Sequence, residues 1–282
     1  MRWSGKSILQ SMSTHLSYSE SGAGVSVVFL HPTPLDREYW RPVAERLAGV
    51  RTIRPDLRGH GLSPLGTGLP VGGFLLVPDA PVLTMGQLAS DVLELMDGLG
   101  LRQVVLVGCS IGGNVLLELW RQAPERVRGL AFVCAKPQPD AVANAPKRAA
   151  TMAQARAGHR TEIFDGMTRT LTGRTSQEKH PELAAVLRAS MNAVTDEALV
   201  AVQAGLATRP DSVPTVATIT APIFALAGGE DPGVTADEMR IFERAPGGCS
   251  FHQIADAGHF AAYEQPEPVA ALLQAWLGQF QS

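Results

Sequence analysis

A serine at position 110 lies in a Gly-x-Ser-x-Gly pattern with Gly108 and Gly112, which is typical of a nucleophilic serine. The pattern alone is weak, because a glycine-rich turn without chemistry can have the same letters. Its surroundings favour the nucleophile, since an apolar run at residues 104–107 enters it and an amphipathic helical run leaves it. A strand that turns sharply into a helix exposes the serine hydroxyl at the end of a sheet. A dinucleotide-binding turn is disfavoured, because Gly-x-Gly-x-x-Gly would need glycine in place of the serine.

A serine hydroxyl is a poor nucleophile at neutral pH, so it needs a general base, and the base needs an acid that orients it. His259 is the preferred base, because it follows the last predicted strand in a loop that can reach the same sheet edge. Asp231 is the preferred acid, because it follows an apolar run and a Gly-Gly turn. Glu230 and Asp256 are the alternatives for the acid. The chain order Ser110, Asp231, His259 is the order expected for such a sheet.

Other histidines lack this placement. His60 lies in the turn at residues 56–61 and is expected to organise that turn rather than to titrate. We expect surface or structural roles for four more: His15, His159, His180 and His252.

The tetrahedral intermediate of acyl transfer needs two preorganised N–H donors for its oxyanion. Ile111, the residue after the serine, supplies one of them. The second is expected from the loop at residues 31–34, His-Pro-Thr-Pro, which follows the first buried strand. Neither proline has an N–H, so Thr33 is the donor that remains between them. The alternative is that the two prolines only end a strand.

Apolar runs of strand length alternate with helical patterns along the chain. Continuous apolar runs suit strands that are buried on both faces, and their alternation with helices predicts an α/β fold with a parallel sheet. A capping-box pattern at Thr84 starts one helix, which ends at Gly100, and a second helix covers residues 111–122. The predicted strands lie at residues 25–30, 51–54, 104–107, 129–134, 223–227 and 250–254.

Composition changes after Cys134. Residues 136–214 carry 10 basic and 8 acidic residues, many alanines and no convincing strand, which predicts a helical cap inserted between two strands. The α/β core is then residues 1–135 and 215–282. The glycine- and proline-rich residues 64–83 are expected to form a loop on the body or the edge of a lid. Basic cap residues favour either an acidic substrate or a solvated helical face: Lys147, Arg148, Arg156 and Arg160.

The charge balance and the cysteines exclude several classes of protein. The 282 residues contain 24 Lys+Arg and 27 Asp+Glu, a net charge of −3, so no nucleic-acid partner is expected. Cys109, Cys134 and Cys249 are odd in number and lack the spacing of metal ligands, which predicts free thiols and no metal site. Without a signal-peptide pattern or a membrane-length apolar run, the sequence predicts a cytoplasmic protein with no membrane contact.

Together these motifs resemble the α/β-hydrolase fold superfamily, specifically its cap-bearing esterase, enol-lactonase and haloperoxidase-like branch. The resemblance implies a mostly parallel eight-stranded sheet flanked by helices, a helical cap inserted after the sixth strand, and a Ser-Asp-His triad with no cofactor. Two features depart from the pattern: Pro32 stands where the family usually has glycine, and residues 64–83 are longer than the usual connection. The matching segments span nearly the whole chain: residues 31–34, 56–63, 108–113, 229–232 and 257–259.

The sequence therefore predicts a serine hydrolase that cleaves a small-molecule carboxylic ester or lactone through an acyl-enzyme. Ser110 attacks, His259 transfers the proton, Asp231 holds the histidine tautomer, and the amides of Thr33 and Ile111 stabilise the oxyanion. The same residues are also compatible with acyl transfer, thioester hydrolysis, perhydrolysis or carbon–carbon hydrolysis. A haloalkane dehalogenase is disfavoured, because it needs a carboxylate nucleophile at this position. A ligand-binding receptor that retains the triad is the alternative outside enzymes.

Overall fold

A computed structural model describes residues 16–281 of the chain. The expectations about a signal peptide and about His15 concern residues outside this range. Seven strands form one sheet in the order β1-β3-β2-β4-β5-β6-β7. The strands are β1 Tyr18–Gly22, β2 Val25–Leu30, β3 Val50–Pro55, β4 Val104–Cys109, β5 Val127–Val133, β6 Ile223–Gly228 and β7 Cys249–Ile254.

The strands from β2 to β7 pair in parallel, and only β1 pairs antiparallel, with β3. In a parallel sheet the carboxyl ends of all strands lie at one edge, so the loops that follow β2, β4, β6 and β7 meet there. This topology brings residues distant in sequence to a common site.

Helices cover both faces of the sheet. The helices are α1 Arg41–Ala44, α2 Met85–Gly98, α3 Ile111–Gln122, α4 Ala145–Arg156, α5 Arg160–Leu171, α6 Arg174–Lys179, α7 Glu182–Met191, α8 Asp196–Ala207, α9 Val213–Val216, α10 Ala236–Met239, α11 Ala261–Glu264 and α12 Pro266–Leu277. Short 3₁₀ turns add Arg37–Trp40, Pro124–Arg126, Val142–Asn144, Arg240–Arg244 and Gly278–Phe280.

The central strands are apolar on both faces because each face contacts a helical layer. In β4, Val105 and Val107 pack in a core shared with α1 and α12, whereas Val104 and Leu106 pack in a core shared with α2 and α3. Successive side chains of a strand point to opposite faces, so a strand between two helical layers needs an apolar residue at every position.

The expected count of eight strands differs from the sheet in the described part of the chain, which has seven strands. An eighth strand would have to pair with the free edge of β1 or of β7, and no segment within residues 16–281 does so. The edge strand β1 itself is absent from the sequence-based predictions. Its residues, Tyr-Ser-Glu-Ser-Gly, are mostly exposed and carry no apolar signal.

The segment between β5 and β6 is helical throughout its regular part, from α4 to α9. Residues 64–83 form an irregular loop that a bridge between Val71 and Pro81 closes on itself. Phe74 anchors this loop in the core shared with α12, and the amide of Leu83 donates to the carbonyl of Ala201 on α8. The loop thus lies between the body and the helices inserted after β5.

Candidate active site

Ser110 stands at the turn between β4 and α3 with φ 52° and ψ −115°, a conformation that non-glycine residues rarely adopt. Tight contacts between strand and helix enforce this turn. A Cβ at Gly108 would lie 2.5 Å from the carbonyl carbon of Gly112, and one at Gly112 would lie 2.4 Å from the carbonyl oxygen of Leu30. Only glycine fits these two positions, so the pattern around the serine reflects a close approach of the backbones.

His259 and Asp231 form a buried hydrogen-bonded pair, with 2.7 Å between Nδ1 and Oδ2. The second carboxylate oxygen, Oδ1, accepts from the amides of Gly233 at 2.8 Å and Val234 at 3.1 Å. Because a carboxylate accepts, Nδ1 of the histidine carries the proton and Nε2 is left as an acceptor. The aspartate is therefore fixed by the backbone and in turn fixes one tautomer of His259.

A cavity of about 600 Å³ is lined by Ser110, His259 and Thr33 together. Asp231 lies behind His259, and the side chain of Ile111 is fully buried, so this residue can face the cavity only through its backbone. The amide of Ile111 is the first of α3, and helix-starting amides have no acceptor within the helix. The structure thus brings all five candidate residues to the carboxyl edge of the sheet.

The two rival acids lie elsewhere. Glu230 accepts hydrogen bonds from the amide and the hydroxyl of Thr175, both at 2.7 Å, and pairs with Arg174. These bonds lower the pKa of Glu230 and tie it to the start of α6. Asp256 is exposed. Neither carboxylate hydrogen-bonds to His259, which leaves Asp231 as its partner among the described residues.

Two buried histidines position the loop that carries Thr33. The carbonyl of Arg58 accepts from Nδ1 of His60, so Nε2 of that ring accepts from the Thr33 hydroxyl at 2.9 Å. His31 bridges its own loop and the next one, because Nδ1 donates to the carbonyl of Pro32 and Nε2 accepts from the amide of Leu57. Burial lowers the pKa of His31 to about 4 and that of His60 to about 3, so both rings are neutral.

The remaining histidines within residues 16–281 lie away from the cavity. His159 and His180 are exposed beside Glu162 and Glu182. His252 lies on the edge strand β7 with its Nε2 2.7 Å from the Ser250 hydroxyl.

The cysteines are free thiols and not nucleophiles. Burial raises the pKa of Cys109 and of Cys134, which lines the cavity, and raises that of Cys249 to about 12. A buried thiol with a raised pKa stays protonated and unreactive. Within residues 16–281, no cluster of His, Cys, Asp or Glu side chains is arranged to hold a metal ion. Helices of that same range are too short or too polar to span a membrane.

The model of a protein family described as the alpha/beta hydrolase family matches residues 27–272. The chain belongs to this family. The match covers β2 to α12, and it agrees with the mostly parallel sheet and with the serine turn between β4 and α3. The predicted α/β-hydrolase fold is therefore confirmed.

Known alpha/beta hydrolase structures resemble this one over nearly the full chain. A thermophilic esterase from Thermogutta terrifontis, solved with malate bound, has a TM-score of 0.86 and 30% identity, covering 95% of this chain and 94% of that one. An enol-lactonase from Burkholderia xenovorans LB400 has a TM-score of 0.81 and 22% identity, covering 93% of this chain and 96% of that one. The second likeness shows the fold alone.

Curated relatives of this alpha/beta hydrolase carry other names. A dihydrolipoyllysine-residue acetyltransferase component of an acetoin cleaving system from Cupriavidus necator is 29% identical over 93% of the chain, which spans 66% of that protein. A 2-succinyl-6-hydroxy-2,4-cyclohexadiene-1-carboxylate synthase from Salmonella heidelberg is 28% identical over 86% of the chain and 90% of that protein. The relatives thus carry the names of several activities, and the family match alone does not select one of them.

Glu264 is a site residue of this alpha/beta hydrolase that the sequence reasoning missed. Its buried carboxylate accepts from the amides of Gly258 at 3.0 Å and Phe260 at 3.1 Å, which flank His259 on both sides. It also accepts from the amide of Gly173 at 2.8 Å, in the loop between α5 and α6. Burial raises the pKa of Glu264, against the opposing effect of these donors. A glutamate five residues after the histidine is a sequence signal that could have suggested this role.

Proposed function

We propose that this protein is a serine hydrolase that cleaves a carboxylic ester or lactone through an acyl-enzyme intermediate. The observation that carries the proposal is the shared cavity: Ser110 in its strained turn and His259 line one space, and His259 bonds the buried Asp231 at 2.7 Å. A nucleophile, a base and an orienting acid are the parts that acyl transfer to a serine requires.

In the first step the Ser110 hydroxyl attacks the substrate carbonyl while Nε2 of His259 takes its proton. Asp231 stabilises the imidazolium that forms. The histidine then gives this proton to the leaving alkoxide, and the acyl group stays on Ser110 as an ester. Water, deprotonated by His259, attacks that ester and releases the acid, which restores the free serine.

Negative charge develops on the carbonyl oxygen in both halves of the reaction. We assign its stabilisation to the amides of Thr33 and Ile111. Two observations support the assignment of Thr33: it lines the cavity with Ser110, and His60 holds its hydroxyl at 2.9 Å, which restrains the loop. The amide of Ile111 adjoins the serine and opens α3, where the helix dipole also favours an anion.

We further assign residues 1–135 and 215–282 to the hydrolase core and residues 136–214 to a cap. In support of this division, the helices α4 to α8 lie between the parallel neighbours β5 and β6, and the boundary at residue 214 falls within α9. Met167 and Leu171 of α5 line the cavity opposite the serine turn, so the cap would shape the acyl or alcohol pocket. The three free thiols support a reducing, cytoplasmic compartment.

Ester or lactone hydrolysis is favoured over the other activities of the family by the likeness to the Thermogutta esterase, at 30% identity over 95% of this chain. The test is turnover of a panel of activated esters, lactones and acyl thioesters by the purified protein and by Ser110→Ala. We expect turnover of oxygen esters or lactones that the variant loses while its melting temperature is unchanged. Substrate binding without turnover by the wild type would instead favour a receptor, and equal turnover by the variant would exclude Ser110 as nucleophile.

A further inference from the structure

The cavity is lined by more basic than acidic side chains. Four basic and two acidic residues line it, a surplus of two positive charges. Such a surplus is unusual for a pocket that has to accept only neutral esters, because each buried charge costs solvation. The basic residues are Lys136, Lys147, Arg148 and Arg209, and the acidic residues are Asp140 and Glu238.

These charges differ in how they are paired. Lys136 pairs with Glu238, so these two cancel. Lys147 is exposed at the cavity wall and forms no ion pair with any residue from 16 to 281. Arg148 and Arg209 share a single carboxylate, that of Asp140. These two arginines and one aspartate therefore leave one guanidinium charge without a counter-ion.

The arginines are held by the protein in fixed positions. Arg148 on α4 donates through Nε to Asp140 and through Nη1 to the side chain of Gln203 on α8 at 2.7 Å. Arg209, just after α8, donates to the carbonyls of Gln138 at 3.3 Å and Leu206 at 3.0 Å. Their side chains are only 19% and 7% exposed. Cations with few rotamers left lose little entropy when they bind an anion.

Each guanidinium keeps a free nitrogen. The described residues offer no acceptor to Nη2 of Arg148 or to Nη2 of Arg209, and neither atom is sealed from solvent. Burial acts to raise the pKa of Asp140, but the hydrogen bonds and charges of Arg148, Asn144 and Arg209 together hold it below its ordinary value, so the shared carboxylate is ionised. The net charge of this trio is therefore +1.

We propose that Arg148 and Arg209 form a carboxylate-binding subsite in the cavity of Ser110, and that the substrate is an ester or lactone carrying a free carboxylate. The substrate part of this proposal rests on the proposed function. Guanidinium groups bind carboxylates through paired, charge-assisted hydrogen bonds. One unpaired positive charge matches a carboxylate better than a dianionic phosphate.

A purely structural role for the trio is the competing explanation, since it ties α4, the end of α8 and the loop at residues 137–140 together. The two explanations differ in what an anion does. If the trio is only structural, a carboxylate in the cavity adds nothing to substrate binding. If the trio is a binding site, the protein discriminates between charged and neutral substrates of the same shape.

The kinetic test compares mono-4-nitrophenyl glutarate with 4-nitrophenyl pentanoate, which has the same chain length without the carboxylate. We expect kcat/KM of the wild type to be about 10- to 100-fold higher for the glutarate ester, the effect of charge-assisted hydrogen bonds. Arg148→Gln should lose most of this preference through a higher KM, with the pentanoate little changed, and Arg148→Lys should retain part of it. Arg156→Gln is the matched control, because Arg156 lies on the same helix and pairs with the exposed Asp79.

A binding experiment separates this proposal from the proposed function. Monomethyl glutarate, which carries one carboxylate, should bind Ser110→Ala measurably by calorimetry, bind Arg148→Gln about 10-fold or more weakly, and bind better than inorganic phosphate at pH 7.5. Equal kcat/KM for both esters in the wild type, equal losses for both in Arg148→Gln, or tighter binding of phosphate would overturn the subsite. If neither ester is turned over and monomethyl glutarate still binds through Arg148, the subsite stands and the hydrolase assignment fails. Melting temperatures show whether Arg148→Gln is folded, and Arg148→Lys replaces it in both experiments if it is not.

Discussion

Three acidic residues near His259 do different things because their partners differ. Asp231 holds the imidazole itself, Glu264 holds the backbone on both sides of it, and Glu230 holds the start of α6. All three are within six residues of a strand end or of the histidine, so spacing alone does not separate them. The three carboxylates are distinguished by the atoms that they contact.

Replacing Asp231 by asparagine tests the proposed acid. The amide has the shape of the carboxylate but donates to Nδ1, which stabilises the wrong tautomer of His259. We expect kcat to fall by ~10⁴, with KM changed much less. Glu230→Gln is the matched control and should stay within a few-fold of wild type, because Glu230 bonds Thr175 and not the histidine. If Glu230→Gln were inactive and Asp231→Asn active, Glu230 and not Asp231 would be the acid that orients His259.

Glu264→Gln tests whether the carboxylate positions the general base. Glutamine presents an NH₂ group where the wild type accepts backbone amides, so at least one of the amides of Gly173, Gly258 and Phe260 loses its acceptor. We expect a loss of about 1–3 kcal/mol in the free energy of unfolding. A lower kcat and a shifted acidic limb of the pH–kcat profile should accompany this loss, whereas a merely structural glutamate would leave the pH profile of the folded fraction unchanged. Urea unfolding and the pH profile measure the two effects separately.

At the scale of elements, the serine site depends on loops that follow four different strands, and each loop is held by a neighbour. The loop after β2 carries Thr33 and is fixed by His60, which lies in the turn after β3. The loop after β7 carries His259, whose amide donates to the carbonyl of Leu171 at the end of α5. The helical segment between β5 and β6 therefore contacts the proposed base directly, in addition to lining the cavity.

The loop after β2 gives a test of the proposed oxyanion hole. Thr33→Pro removes one amide donor and should lower kcat by ~10² to 10³. Thr33→Ser keeps both the amide and the hydroxyl that donates to His60, so it should stay near wild type. The comparison requires both variants to show a wild-type circular dichroism spectrum. Wild-type kcat in a folded Thr33→Pro would place the second donor elsewhere.

The sequence predicted six of the seven strands in the described part of the chain, including the edge strand β7. Apolar runs marked β2, β4, β5 and β6, and the predicted helix at residues 111–122 agrees with α3 in both bounds. The exposed edge strand β1 carries no apolar pattern and escaped prediction, because its pairing depends on the backbone of β3. The resemblance implies eight strands, and residues 16–281 contain seven of them.

Within the site, local sequence motifs predicted the residues that lie in tight backbone turns. Ser110 has a glycine two residues before it and another two residues after it, because a side chain at either position would clash with the backbone. These glycines form a pattern that is visible in the sequence. Arg209 has no such pattern, because its partner Gln138 lies 71 residues away in the chain and only the folded structure brings the two together. Glu264 is close in sequence to Gly258 and Phe260, but its third partner, Gly173, lies 91 residues away.

At the scale of the whole molecule, two neutral histidines buried beside the site couple its geometry to pH. Burial, as the largest effect, lowers the pKa of His31 to about 4 and that of His60 to about 3, against an ordinary value of 6.5. The unfolded chain therefore binds these protons more readily than the folded protein does. The stability is fully present above pH 6.5 and decreases as the pH falls towards the folded pKa values.

Urea unfolding between pH 7.5 and pH 4.5 measures this dependence. From its pKa shift, His31 alone should remove on the order of 3 kcal/mol of unfolding free energy once the pH reaches its folded pKa. His31→Gln keeps a donor and an acceptor but does not titrate, so it should be less stable at pH 7.5 and lose less stability on acidification. His159→Gln, at an exposed position, is the control with a wild-type slope. Parallel pH curves for His31→Gln and the wild type would contradict a neutral buried His31.

The central claim is that Ser110 is the nucleophile of this alpha/beta hydrolase. Reaction of the purified protein with a fluorophosphonate, followed by intact mass and peptide mapping, tests it most directly, because the reagent stops at the first covalent step. The account predicts one adduct, located on Ser110, absent from a folded Ser110→Ala and formed more slowly in Asp231→Asn. An adduct on another serine, or full ester turnover by a protein whose Ser110 is completely modified, would contradict it.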